Sequence, residues 1–112
     1  KNLMKAGAAA KVLRAMDNYI RSERVQKEAC GALWNLTVND DTKKGLMKMG
    51  AVDKIFRAMN TYPKSEEVQK LTCGALRCFA LNDDIARSLM EMGVGAKIIW
   101  SMDNYIKSED VQ

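Results

Sequence analysis

The sequence repeats itself with a period of 43 residues. Compared with itself at this offset, the chain matches ungapped from end to end, and more than half of the aligned pairs are identical. Cys30–Leu33 recurs as Cys73–Leu76, and Asn39–Asp41 recurs as Asn82–Asp84. A chain made of repeated units folds by stacking them, because each unit buries its apolar face against its neighbours. The period therefore restricts the fold to a stacked array.

The period also sets the expected organisation of the 112 residues. We expect one fragment of a longer array, with a partial unit over 1–38, a complete unit over 39–81 and a partial unit over 82–112. Terminal units of such arrays need polar caps, and neither end of this sequence shows one. Alternatively, other copies of the chain cover the two ends.

Each unit is predicted to contain three helices. In the complete unit, Asn39–Asp41 can cap a short helix that Gly50 closes. A second helix is expected over about 52–61, before Pro63, since proline disfavours helix at the residue preceding it. Ser65 then caps a longer third helix with acidic residues in its first turn. The single proline and the 6% aromatic content disfavour a many-stranded sheet, so the fold class is all-α.

The apolar residues of these helices follow helical spacing and predict the core. The third helix of the complete unit has an inner stripe of Val68, Thr72, Cys73, Leu76 and Phe79. Most of the methionines also recur at fixed positions of the unit, such as Met16 and Met59, or Met47 and Met90. We interpret these methionines as core residues.

Composition excludes several kinds of chemistry. Histidine is absent, which rules out Ser/His/Asp and Cys/His nucleophilic sites and His-ligated zinc. The three cysteines cannot all be paired, and Cys73 and Cys78 lack Cys-x-x-Cys spacing. The acidic pairs Asp40–Asp41 and Asp83–Asp84 fall at predicted helix starts, where capping explains them. We expect no enzyme activity, no catalytic residue, no cofactor and no metal.

Charge and hydropathy limit the partners. The net charge of +4 is modest, and the 18 basic residues are interspersed with 14 acidic ones. Nucleic-acid binding usually requires a basic stripe with aromatic platforms, and it is not expected here. No apolar run reaches the roughly 18 residues that span a membrane, so no membrane partner is expected.

The sequence of the third helix resembles that of the armadillo repeat family. The resemblance rests on Glu28–Thr37, on the following Asn39–Asp41 and on the glycine turn within Met49–Val52. It implies a right-handed α-solenoid whose third helices line a concave groove for extended peptides, in a cytoplasmic or nuclear protein. The Ala-Leu-Trp-Asn-Leu segment is similar to the catenin type.

The resemblance also implies a role for single residues. Asn35 matches the asparagine that hydrogen-bonds a ligand backbone in family members, whereas Cys78 takes that place in the next unit. Gly31 stands where the members that act in nuclear import have a tryptophan, which argues against that type of clamp. With Leu33 and Leu36 facing inward, the residues predicted to line the peptide groove are Lys27, Glu28, Gly31, Trp34, Asn35, Lys70, Gly74, Arg77 and Cys78.

The sequence allows two interpretations, a binding role and a structural role, for several residues. Gly31 and Gly74 either allow close packing of a neighbouring helix or give a ligand access to the backbone. Trp34 and Asn35 either contact a ligand or pack within the solenoid. Arg77 is either a partner for an acidic ligand group or a solvated side chain. Trp100 occupies the position of the unit at which Arg14 and Arg57 stand in the two earlier units. The tryptophan is either part of a contact surface or covered by other residues.

The sequence therefore favours a protein-interaction module that binds an extended or helical peptide segment on its third helices. The alternative is a structural, self-assembling solenoid that self-associates through uncapped repeat ends. In that case, self-association should depend on the apolar residues near the two ends, which are Leu3, Met4, Ile98 and Met102.

Overall fold

The computed structural model describes residues 2–93, and side chains from residue 7 onward. This part of the chain holds six α-helices and no strand, which confirms the predicted all-α class there. The helices are α1 (Asn2–Asn18), α2 (Glu23–Leu36), α3 (Asp40–Lys48), α4 (Ala51–Thr61), α5 (Glu66–Phe79) and α6 (Asp83–Glu91). The expectations for 94–112, Trp100 among them, lie outside the described residues. Within 2–93, no helix is both long and apolar enough to cross a membrane.

The helix starts are fixed by the side chains that the sequence indicated. The Oδ1 atom of Asn39 accepts the backbone N–H of Thr42 at 2.8 Å, and that of Asn82 accepts the N–H of Ile85 at 3.1 Å. Ser22 and Ser65 cap α2 and α5 through their hydroxyl oxygens. The acidic pairs after each asparagine occupy the first turns of α3 and α6, where negative charge stabilises the helix dipole.

Glycine ends the short helices as predicted, with one exception. Gly50 follows α3 with φ of 82°, and Gly93 follows α6 with φ of 79°, both in the left-handed region that suits glycine. Gly7 aligns with both, yet it lies inside the continuous helix α1. The expectation of a separate first helix in this unit was therefore wrong. The alanines after Gly7 favour continuation of the helix.

The core follows the predicted stripes. Leu33, Val68, Leu76 and Phe79 of the third helices are fully buried, together with Ile55 of α4. Burial of these side chains is the main stabilising contribution, at about 1.5–3 kcal/mol for each large apolar group. Cys30 is buried among them, and burial raises the pKa of its thiol to about 12, so the thiol stays neutral.

The methionines only partly match their interpretation as core residues. Met16 and Met59 are completely buried. Met90 is 78% exposed, and Met92 is 46% exposed. The recurrence of a methionine therefore identified a position of the unit, but the burial of that position depends on what packs over it.

Two buried glutamines, which the sequence analysis missed, connect the second and third helices. The side-chain amide of Gln26 donates to the carbonyls of Met16 and Tyr19 at 3.1 and 2.9 Å. Gln69 repeats the arrangement with Met59 and Tyr62 at 3.0 and 2.9 Å. These carbonyls lie at the ends of α1 and α4, where helices leave acceptors unsatisfied. The recurrence of glutamine at one position of the unit was the signal for this role.

Polar contacts also join the first unit to the second. The hydroxyl of Tyr62 donates to the carbonyl of Ile20 at 2.8 Å, and the hydroxyl of Ser65 donates to a carboxylate oxygen of Glu23 at 3.1 Å. These partners are one period apart to within a residue. The two units are thus held in register at the loops that precede α2 and α5.

Asp17 is the charged centre of the same junction. Its Oδ1 atom accepts hydrogen bonds from Arg57 at 2.8 Å and from Lys54 at 3.1 Å. The hydrogen bond from Arg57, followed by that from Lys54, lowers the pKa of Asp17 below its ordinary value of 3.8. A carboxyl whose pKa is lower in the folded state stabilises the fold above its unfolded-state pKa. It loses that contribution as the pH falls through the folded-state value.

We therefore expect Asp17→Asn to weaken the acid sensitivity of the protein. Wild type should lose stability between pH 6 and pH 3, and the variant should lose less, because it lacks the carboxylate that protonation neutralises. Urea unfolding at pH 6, 4 and 3 measures the difference. Asp53→Asn is the control, since Asp53 forms no ion pair among the described residues. Equal acid sensitivity in wild type and Asp17→Asn would contradict the prediction.

Candidate functional site

The candidate surface is formed by the two third helices, α2 and α5, which lie side by side. Glu23 contacts Ser65 near the starts of the helices, and the Lys27 ammonium lies 3.2 Å from the Glu67 carboxylate. Further along, Trp34 packs on Gly74. Because starts meet starts and ends meet ends, the two helices run parallel. Residues of their shared outer face therefore line one continuous surface.

Trp34 and Gly74 form the closest side-chain contact of this surface. A β-carbon added at Gly74 would come within 3.0 Å of three carbons of the Trp34 six-membered ring. Gly74 is buried and Trp34 is half-buried. The structure therefore explains the glycine by close packing, one of the two interpretations left open by the sequence. The Trp34 ring forms one side of the surface, and one edge of the ring already contacts α5.

Gly31 occupies the same position of the unit but a different environment. A β-carbon at Gly31 would meet no heavy atom within 4 Å. The mid-helix glycine is therefore not required by any described neighbour, although it costs about 1 kcal/mol of helix stability relative to alanine. The two equivalent glycines thus have opposite packing states.

Asn35 has a free amide. Its side chain is exposed, and it forms no hydrogen bond with any described residue. It lies next to Trp34 and one turn from the open Gly31. An exposed amide offers two donors and one acceptor, which is the set that an extended peptide backbone can pair with. Cys78, the counterpart in the second unit, is half-buried and reduced and supplies no comparable set.

The charges of the surface are partly neutralised within it. Lys27 pairs with Glu67 across the helices, and Arg24 pairs with Glu28 at 3.2 Å along α2. Lys70 and Arg77 are exposed and form no ion pair or hydrogen bond among the described residues. They lie seven residues apart and hence on the same side of α5, two turns from each other. The charge left unpaired on this surface is therefore positive.

An apolar pair extends the surface beyond the predicted set. Val38 and Leu81 follow α2 and α5, and they are 79% and 73% exposed. They occupy the same position in consecutive units, which is the signal that could have added them to the candidate site. Single exposed apolar residues are ordinary, but here each of the two third helices is followed by one.

The structure places all nine predicted surface residues on α2 and α5, and among them it shows Trp34 in contact with Gly74 across the two helices. It buries Gly74 and half-buries Lys27, Gly31, Trp34 and Cys78, and it leaves Glu28, Asn35, Lys70 and Arg77 exposed. Among the described side chains, no three histidines, cysteines or acids are close enough to hold a metal ion.

Comparison with known families supports the resemblance seen in the sequence. Residues 3–38 match the family model described as the armadillo/beta-catenin-like repeat. This segment covers α1 from its second residue and all of α2, and the sequence of 46–81 repeats it at the period of 43. Comparison with curated proteins gave no match, and comparison with solved structures gave none either.

The match over residues 3–38 is consistent with the armadillo repeat family. A repeat of this kind suggests a helical repeat scaffold for protein interactions.

Proposed function

We propose that the protein is a segment of a right-handed armadillo solenoid that binds an extended peptide along the parallel helices α2 and α5. The observation that carries the proposal is the exposed, unpaired amide of Asn35 beside the Trp34 ring. A peptide backbone laid along this surface can hydrogen-bond to Asn35 while its side chains contact Trp34.

The unpaired charges favour an acidic peptide. Lys70 and Arg77 lie two turns apart, about 10 Å along the helix. Carboxylates two or four residues apart face the same side of an extended chain and lie about 7 or 13 Å apart, which brackets this separation. Electrostatic complementarity of this kind selects partners and raises association rates. The exposed Val38 and Leu81 offer an apolar contact to the same ligand.

We expect Asn35→Ala to weaken peptide binding about 2- to 10-fold, the effect of losing one hydrogen-bonding group. The melting temperature should stay unchanged, because the Asn35 side chain is exposed and bonds to no described residue. Fluorescence anisotropy with a labelled ten-residue peptide of alternating glutamate and serine measures the affinity. If the melting temperature falls while the affinity holds, Asn35 is a structural residue.

The acidic preference has its own test in the double variant Lys70→Ala/Arg77→Ala. It should weaken binding of the glutamate peptide and reduce the salt dependence of binding, while a lysine/serine peptide binds neither protein. The matched control is Lys44→Ala/Arg87→Ala, which removes the same charges from exposed positions on α3 and α6. Equal losses in both double variants would show that net charge, and not this surface, attracts the peptide.

A further inference from the structure

The ion pair between Lys27 and Glu67 neutralises one cation of the candidate surface. The Lys27 ammonium of α2 lies 3.2 Å from the Glu67 carboxylate of α5, and the side chains are 30% and 71% exposed. Lys70 follows Glu67 by three residues on α5, so the two are neighbours on the helix surface. One carboxylate of the protein therefore contacts one lysine of the surface and lies on the same side of α5 as a second.

The start of α5 does not explain the acid at this position. Ser65 caps the helix, and Glu66 already places a negative charge in its first turn. In the first unit, Arg24 takes the position of Glu67, and α2 begins with a serine cap and the single acid Glu23. A third helix of this chain thus forms without an acid at this position.

The ion pair also contributes little to holding α2 and α5 together. The Glu67 side chain is mostly in solvent, and exposed pairs of long side chains stabilise a protein weakly because water competes for both charges. Between the same helices, Trp34 fills the space at Gly74, and a hydrogen bond joins the helix starts. A carboxylate from outside can therefore replace that of Glu67 on Lys27 without separating the helices.

We propose that Glu67 is a built-in competitor for Lys27 that determines which acidic peptides the surface selects. This inference rests on the proposed function. While Glu67 occupies Lys27, only Lys70 and Arg77 offer a peptide carboxylate a cation without a described partner. A third ligand acid at Lys27 gains little, because it must first displace an anion of the same kind. The surface therefore favours peptides with acids at Lys70 and Arg77 and a neutral residue at Lys27.

The test compares wild type with Glu67→Gln, which keeps the size of the side chain and removes its charge. The labelled peptide of alternating glutamate and serine should bind the variant about 2- to 10-fold more tightly, the effect of one added polar contact. Its binding should also depend more steeply on salt, since one more ion pair forms. The matched control is Glu91→Gln, which removes the same charge from an exposed position at the end of α6 and should leave the affinity unchanged.

The gain in affinity must depend on Lys27. In a Lys27→Met background, Glu67→Gln frees no ammonium, so most of the gain should disappear. An equal gain with and without Lys27, or an equal gain from Glu91→Gln, would overturn the inference, because net charge would then explain the effect. If wild type binds the peptide and Glu67→Gln binds it no better, the inference fails while the proposed function stands. Binding of the peptide by neither protein would overturn both.

Discussion

Gly74→Ala should destabilise the protein by about 1–3 kcal/mol, the usual cost of overpacking a filled contact. The new β-carbon would overlap the Trp34 ring, which is rigid and lies between α2 and α5. Either the ring must leave its site or the two helices must separate. The gain in helix propensity, about 1 kcal/mol, is too small to offset either change. Urea unfolding followed by circular dichroism measures the loss.

Gly31→Ala is the matched control for this substitution. It replaces the same residue at the same position of the unit, but a β-carbon there meets no neighbour within 4 Å. Only the propensity effect remains, so stability should rise by up to about 1 kcal/mol. The two substitutions are therefore expected to have opposite signs.

A double-mutant cycle identifies the Trp34 ring as the cause. In a Trp34→Ala background the space beside Gly74 is open, so adding Gly74→Ala should cost little or nothing. Coupling between neighbouring residues commonly reaches 0.5–3 kcal/mol, roughly the size expected here. If Gly74→Ala costs as much without the ring as with it, the steric explanation is wrong.

Met59→Ala should cost about 2–5 kcal/mol, the range for truncating a fully buried methionine. The Met59 side chain has no exposed surface, and its removal leaves a cavity under α4 and α5. The carbonyl of Met59 also accepts a hydrogen bond from Gln69, but that bond is made by the backbone and survives the substitution. Since a domain of this size is stable by only about 5–15 kcal/mol, the expected loss is a large share of the total.

Met90→Ala makes the same chemical change at an exposed position. Met90 is 78% exposed, so the free energy of unfolding should change by no more than about 0.5 kcal/mol. Denaturant unfolding of both variants compares the two sites directly. A similar loss in both would mean that the burial assigned to Met59 or the exposure assigned to Met90 is incorrect.

Much of the helical architecture could be predicted from the sequence because its determinants are local. An asparagine or serine three residues before a free N–H caps a helix wherever it occurs, as Asn39 and Ser65 do. Gly50 ends α3 because glycine adopts positive φ at no steric cost. Gly7 departs from this pattern, since it lies within the continuous helix α1.

The candidate surface could be predicted as a set but not in its details. Helical spacing placed Trp34, Asn35 and Arg77 on the outer faces of α2 and α5, and in the structure Trp34 reaches α5 at Gly74. Helical spacing could not show that the Asn35 amide forms no hydrogen bond with a described residue, or that Lys27 pairs with Glu67. Which charges neutralise each other depends on distances between helices, and periodicity along one helix carries no information about those distances.

The sequence by itself determined the period, the helix boundaries other than that expected at Gly7, and the buried side of the third helices, because these depend on residues within a few positions of one another. Only the tertiary structure decided that Gly74 is filled while Gly31 is open. Both glycines lie in a Cys-Gly-Ala-Leu segment, so the residues next to them do not distinguish them, whereas the helix packed beside each one does. For Gly74 that helix is α2, which brings the Trp34 ring from forty residues earlier in the chain.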